Sequence, residues 1–182
     1  MTEMRDNLLE LLANYRAAGA SEAVLREEFI TLAGTAADCC KRSRLEGHLT
    51  GSAWLVSADG RQALLMHHRK LDRWLQPGGH ADGDWNLAAV ALREAREETG
   101  LSDLQVDPAI FDLDKHRIPA RGEAPEHWHY DLRFVVRATG GQEFSGNAES
   151  LALRWFDIAA LAHDAGLDAS IRRMARRWLE RN

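Results

Sequence analysis

Cysteine is nearly absent from this sequence. The two present, Cys39 and Cys40, are adjacent. Neighbouring cysteines build no disulfide framework, and neither a C-x-x-C pair nor a zinc-ligand spacing occurs. That usage fits a reducing, cytoplasmic setting. No apolar run approaches the length of a membrane span, and the amphipathic, acidic stretch Met1 to Tyr15 lacks the charged-then-apolar layout of a secretory signal. No repeat of fixed period and no low-complexity segment is found. Positive charge is not in excess either. Lys and Arg number 23 against 28 Asp and Glu, a net charge of −5. A mild acidic balance gives no global attraction to nucleic acid, so an anionic substrate has to be met locally. The basic group Arg172-Arg173 with Arg176-Arg177 reads as a solvated helix face or a partner for acidic residues.

What is present suits one domain with an appendage. The chain has 182 residues, 45% of them hydrophobic, enough for a single core. From Thr2 to about Thr35 the apolar residues recur at helical spacing, with Leu8, Leu12 and Tyr15 in a first group and Val24, Leu25, Phe29 and Leu32 in a second. Ser21 is the expected cap of the second helix. From about Leu45 the texture turns to strands. Thr50–Val56 and Gln62–His68 flank a turn and predict a hairpin. Gln105–Leu113, Trp128–Ala138 and Leu151–Phe156 predict further strands, and Asp168–Arg181 an amphipathic helix. Strands, a central helix, more strands and a closing helix imply a mixed sheet flanked by helices.

The stretch from Gly78 to Leu101 carries the chemistry. Glu94, Glu97 and Glu98 fall at i, i+3 and i+4, one face of a helix. Carboxylates crowded there repel, and a hard divalent cation such as Mg²⁺ or Mn²⁺ is what such a face suits. Asp84 is the expected N-cap and Gly100 the left-handed C-terminal residue. Pro77-Gly78-Gly79 before the helix allows close backbone approach.

These residues resemble the signature of the Nudix hydrolases. Starting from Gly79, the spacing of Arg93, Glu94, Ala95, Glu97, Glu98, Gly100 and Leu101 matches in register. One position departs: the first glutamate of the pattern falls on Trp85, with Asp84 beside it. The resemblance implies an α/β/α sandwich over residues 45–182; the N-terminal helical extension at 1–44 lies outside it. It implies Mg²⁺ or Mn²⁺ on Glu94, Glu97 and Glu98. Glu97 or Glu98 is then the expected base, Glu149 an alternative before the last strand, and Arg93 the group fixing a carboxylate.

A second polar cluster involves histidines. His80 follows Gly79. Downstream come Asp112-x-Asp114-x-His116 and His127-x-His129-x-Asp131, whose alternation puts each triplet on one strand face. Imidazole and carboxylate suit a divalent metal, or phosphate if the imidazole is charged. Gly79, His80, His129 and Asp131 are the candidate substrate contacts, and Trp74 and Trp128 candidate stacking platforms for a base.

The expected function is metal-dependent hydrolysis of a nucleoside diphosphate linked to another moiety. Partners would be that small molecule and, through amphipathic terminal helices, a second copy of the chain, with no nucleic acid or membrane. A Nudix-like binding module without catalysis is the alternative, supported by Trp85. A prenyl-diphosphate isomerase is the third, opposed by the position of Cys39 and Cys40 before the domain.

Overall fold

Strand β1 (Gly47–Val56) is buried along its whole length, and the sheet is built around it. The structure is a computed structural model that describes residues 2–122, 125–146 and 150–181. Ahead of β1 lie α1 (Thr2–Asn14) and α2 (Ala20–Thr35). After it come β2 (Gln62–His68), β3 (Arg73–Leu75), β4 (Gly78–His80), α3 (Leu87–Thr99), β5 (Leu104–Ile118), β6 (His127–Ala138), β7 (Ser150–Asp157), α4 (Ile158–Leu161) and α5 (Ala169–Arg181). The strand order is β3-β2-β1-β6-β5, with β4 on β1 and β7 on β2. On one side, β1 runs parallel to β6 from Gly47↔Trp128 to Val56↔Arg137. On its other side it meets two strands in turn, β4 near its start and β2 at its end. The sheet therefore splits beside β4, against which Glu94 and Glu98 of α3 lie.

Residues alternate across the sheet, so each strand feeds two cores. Leu49, Ala53, Leu55, Leu132, Phe134 and Val136 face α3, α1 and α2, whose Val90, Ala91, Ala95, Leu8, Leu12 and Phe29 complete that layer. Trp54, Val56, Leu65, Phe111 and Val135 face α4 and α5, against Ile158, Ile171, Met174 and Trp178. The result is the expected helix–sheet–helix sandwich. Gly51 admits α3: a Cβ there would stand 2.8 Å from the Leu87 carbonyl oxygen and 3.0 Å from Val90 Cγ1. Leu8 and Leu12 of α1 and Ile171, Met174 and Trp178 of α5 are buried within the one chain, while Met4 and Leu179 stay exposed.

The N-terminal helices are tied down by polar contacts as well. Lys115 Nζ donates to Glu28 Oε2 at 2.6 Å, and Arg177 of α5 donates to Glu22 Oε1 at 2.6 Å. Two expected caps are corrected. Asn86, not Asp84, caps α3, its Oδ1 accepting from the Ala89 N–H at 3.1 Å. Asp84 instead accepts from the Asn86 N–H at 2.8 Å and shapes the approach. Helix α2 starts at Ala20 after Gly19, with no side-chain cap, and Ser21 lies inside it. Strand β5 continues past Leu113 to Ile118, because its antiparallel ladder with β6 runs on to Ile118↔His127.

Candidate functional site

Helix α3 buries Leu87, Ala88, Val90, Ala91 and Ala95 against the sheet, which turns its glutamates toward β4. It ends at Gly100, whose φ of 72° lets the chain leave the helix without strain. Glu94 is half-buried, Glu97 exposed and Glu98 only 5% exposed. The β4 turn is fitted to them. The Gly78 N–H donates to Glu98 Oε2 at 2.9 Å. A Cβ on Gly79 would lie 2.6 Å from both Cδ and Oε2 of Glu94, so only glycine lets that carboxylate sit against the backbone. Arg93 Nη2 joins the two, donating to Glu94 Oε1 at 3.0 Å and to the His80 carbonyl at 3.1 Å.

Burial, reinforced by the Glu97 and Asp82 charges, holds the Glu94 carboxyl above the usual carboxylate range despite Arg93. A partly buried carboxylate with negative neighbours is under-compensated, and a divalent cation supplies what it lacks. The donor set is all oxygen, so it fits Mg²⁺ or Mn²⁺. The three carboxylates do not converge as tightly as 4.8 Å; among the described residues a separate group does so. Trp85, at the position that departs from the signature, is 7% exposed and belongs to the core on the α3 side. It contributes packing where the signature has a charge.

That separate group is on the other face. Since the missing Cβ of Gly79 points at Glu94, alternation turns the His80 ring away from α3, onto the face of Thr50, its partner on β1. His129 stands opposite His48 on β1 and His116 on β5. Ring centroids are 4.9 Å apart for His48–His129, 5.1 Å for His48–His80 and 5.1 Å for His80–His129. His127 stacks on His48 at 5.1 Å. Burial lowers all three of His48, His80 and His129. In His80, burial and then the Arg42 charge bring it down to about 4. Neutral imidazoles disfavour the reading in which they grip phosphate as cations.

No sequence motif marks His48. The signal was only a histidine beginning a strand, and its register against His129 is parallel and 81 residues distant. Asp131 shares the face but is committed elsewhere. It accepts from Thr50 Oγ1 at 2.9 Å, Ser52 Oγ at 2.7 Å and Arg133 Nε at 2.8 Å. Asp112 and Asp114 belong to the same ion network, paired with Arg133 and with Arg173 of α5. His116 Nδ1 bonds Asp114 Oδ2 at 3.1 Å. Trp74 stacks on His67 at 5.1 Å and meets Phe156 edge-on at 4.9 Å. Trp128 alternates to the opposite face from His129, under Lys115 at 4.7 Å. Glu149 lies outside the described residues. Cys39 and Cys40 are buried in the same core cluster as Trp85. A cleft lined by Asp59, Arg61, Arg137 and Trp178, at the far end of β1, carries none of these groups.

The NUDIX domain family model matches residues 48–178. The chain is 32% identical over 128 residues to the putative 8-oxo-dGTP diphosphatase 3 of Mycobacterium tuberculosis (strain H37Rv), a match covering 64% of this chain and 55% of that protein. The chain thus spans about half the length of that curated relative. Among solved structures, the MutT protein from Methanosarcina mazei Go1 aligns with a TM-score of 0.59 at 17% identity, over 76% of this chain and 97% of that one. A NUDIX-family hydrolase from Clostridium perfringens aligns with a TM-score of 0.57 at 23% identity, over 73% and 96%. At such identities the structural likeness is one of fold. No helix among the described residues is long and apolar enough to cross a membrane.

Proposed function

Because the chain belongs to the Nudix family, we propose that it is a divalent-metal-dependent pyrophosphohydrolase acting on a nucleoside diphosphate linked to another moiety. The observation that carries this reading is the fit of the β4 turn to the acidic helix. Gly79 presses its backbone on the Glu94 carboxylate, Gly78 holds Glu98, and Arg93 clamps Glu94 to the His80 carbonyl. A surface helix with incidental glutamates has no need of such a turn. The relative named as an 8-oxo-dGTP diphosphatase adds nucleoside triphosphates with oxidised bases to the candidate substrates.

Mg²⁺ or Mn²⁺ held by Glu94, Glu97 and Glu98 would neutralise diphosphate charge and lower the pKa of an attacking water. The chain's own groups then divide the remaining work. Arg93 fixes the Glu94 rotamer through two hydrogen bonds. Glu98 is oriented by the Gly78 N–H and shielded from water. Glu97, exposed on the same face, suits acceptance of the water's proton, with Glu98 and Glu149 as alternatives.

A binding module without turnover is the second reading, supported by the buried Trp85 and opposed by the three retained glutamates. The isomerase reading is opposed by Cys39 and Cys40, 0% and 1% exposed within the core. The discriminating experiment is phosphate or nucleotide release from nucleotide-sugars, dinucleoside polyphosphates, NADH, coenzyme A, ADP-ribose and oxidised nucleoside triphosphates, with Mg²⁺ and with Mn²⁺. Glu97→Gln is run beside the parent chain. Metal-dependent release that disappears in the variant is the expected result. Release that persists undiminished in Glu97→Gln and in Glu98→Gln removes the assignment.

A further inference from the structure

Three strands bring imidazoles to one point on the sheet face away from the acidic helix. One ring nitrogen from each of His48, His80 and His129 lies within 4.8 Å of the other two, and no other group of three His, Cys, Asp or Glu among the described residues is so close. They come from β1, β4 and β6, so the convergence is a product of the fold and not of local spacing. Nitrogens held at about 2.1 Å from one tetrahedral cation stand about 3.4 Å apart, a distance small ring rotations reach from here.

The orientation of the rings adds an independent observation. His48 Nδ1 faces the Arg44 carbonyl at 3.2 Å, so Nδ1 carries the hydrogen and Nε2 the lone pair. That Nε2 is buried without a hydrogen-bond partner, in a residue only 2% exposed. A buried unsatisfied acceptor is costly and calls for a ligand. A ring N–H donating to a backbone carbonyl, with the other nitrogen free to coordinate, is the usual posture of a metal-bound histidine. His127 repeats it. Its Nδ1 faces the Pro125 carbonyl at 2.9 Å, and its Nε2 points at His129 Nε2 from 3.3 Å. Two such nitrogens must either share a proton or share a cation.

Among the described residues no carboxylate joins the group. Asp131 is engaged by Thr50, Ser52 and Arg133, and Asp114 by His116, Arg133 and Arg173. An all-nitrogen donor set of this kind suits zinc and its neighbours and not magnesium or calcium. We propose that His48, His80 and His129 bind a borderline transition-metal dication of the Zn²⁺ class, with His127, which lies outside that group of three, swinging in as fourth ligand, at a site separate from the glutamates of α3. Strand β4 is held to β1 by three residue pairs only, and it carries Gly79 and the His80 carbonyl that position Glu94 and Arg93. Metal on the histidines staples this turn to the sheet.

The test uses the full chain, free of any affinity tag, stripped with a chelator and titrated with Zn²⁺ against a chromophoric competitor. The parent chain and Glu97→Gln each take up one tight equivalent. His80→Asn and His129→Asn, checked for a cooperative melt, lose it or bind at least about 10-fold more weakly. Co²⁺ substituted into the parent chain, which needs no variant to fold, shows the intense visible bands of a four-coordinate nitrogen site. The proposal is overturned if the parent chain takes up no stoichiometric Zn²⁺. It is equally overturned if uptake survives both histidine substitutions, or if it disappears in Glu97→Gln and survives in them. None of these readings involves substrate turnover, so the outcome is independent of the hydrolase proposal.

Discussion

Substituting Gly79 by alanine separates a site defect from a folding defect. The added Cβ falls 2.6 Å from Glu94 Cδ and Oε2 and 2.8 Å from Oε1. Ordinary carbon contacts lie at about 3.5 Å or more, so the carboxylate must retreat by about 1 Å. It sits at the end of a flexible side chain, and the retreat costs little stability, on the order of 1 kcal/mol for an off-rotamer torsion. The same retreat breaks the match between Glu94 and Arg93 and displaces a group assigned to metal. A misplacement of about 1 Å at a reacting centre costs about 100-fold in rate, or about 2.7 kcal/mol of transition-state stabilisation. The expected outcome is a kcat/KM down by about two orders of magnitude with a melting temperature within a few degrees of the parent. Gly78→Ala is the control: its Cβ meets Ser52 Cα at 2.9 Å, backbone that cannot swing aside, so it lowers stability first. An undiminished kcat/KM in Gly79→Ala refutes the idea that Glu94 works from this position. A loss of activity matched by an equal loss of folded protein refutes the separation.

Arg133 is 3% exposed among Asp112, Asp114 and Asp131; Arg133→Met should cost about 3–5 kcal/mol by urea titration, because Asp131 loses its cation in a buried setting. A second change, Asp131→Asn, should recover part of that loss. Trp85→Glu restores the family's residue yet should destabilise by about 3–5 kcal/mol, since it empties a buried indole site and adds a charge; a variant as stable as the parent would show Trp85 to be dispensable packing. Asp114 carries the pH prediction. Burial alone would raise its carboxyl, but the His116 hydrogen bond and the Arg133 and Arg173 charges hold it well below the usual range. Its stabilisation is therefore complete above the unfolded value, near pH 4, and fades as the pH falls further. Urea midpoints taken downward from pH 5 should decline less steeply in Asp114→Asn than in the parent chain.

The glutamates of α3 were legible from spacing alone, because Glu94, Glu97 and Glu98 are local to one helix and i, i+3, i+4 geometry needs no tertiary information. The helix end at Gly100 was legible for the same reason. The start was misjudged by two residues: Asp84 and Asn86 are equally good capping types, and only the path of the turn selects between them. Strand alternation correctly joined His127, His129 and Asp131 to one face, yet it could not say which of them the fold would commit to a buried arginine. The same alternation sets Trp128 on the opposite face from the histidines, where the fold puts it under Lys115. Local chemistry is written in the chain order: an acidic helix face behind a glycine turn, and the family those residues resemble. The meeting of His48, His80 and His129 is a product of the fold. Their partners lie on strands joined by long-range pairing, and the register of that pairing is set by burial of the whole sheet, not by any short stretch of chain.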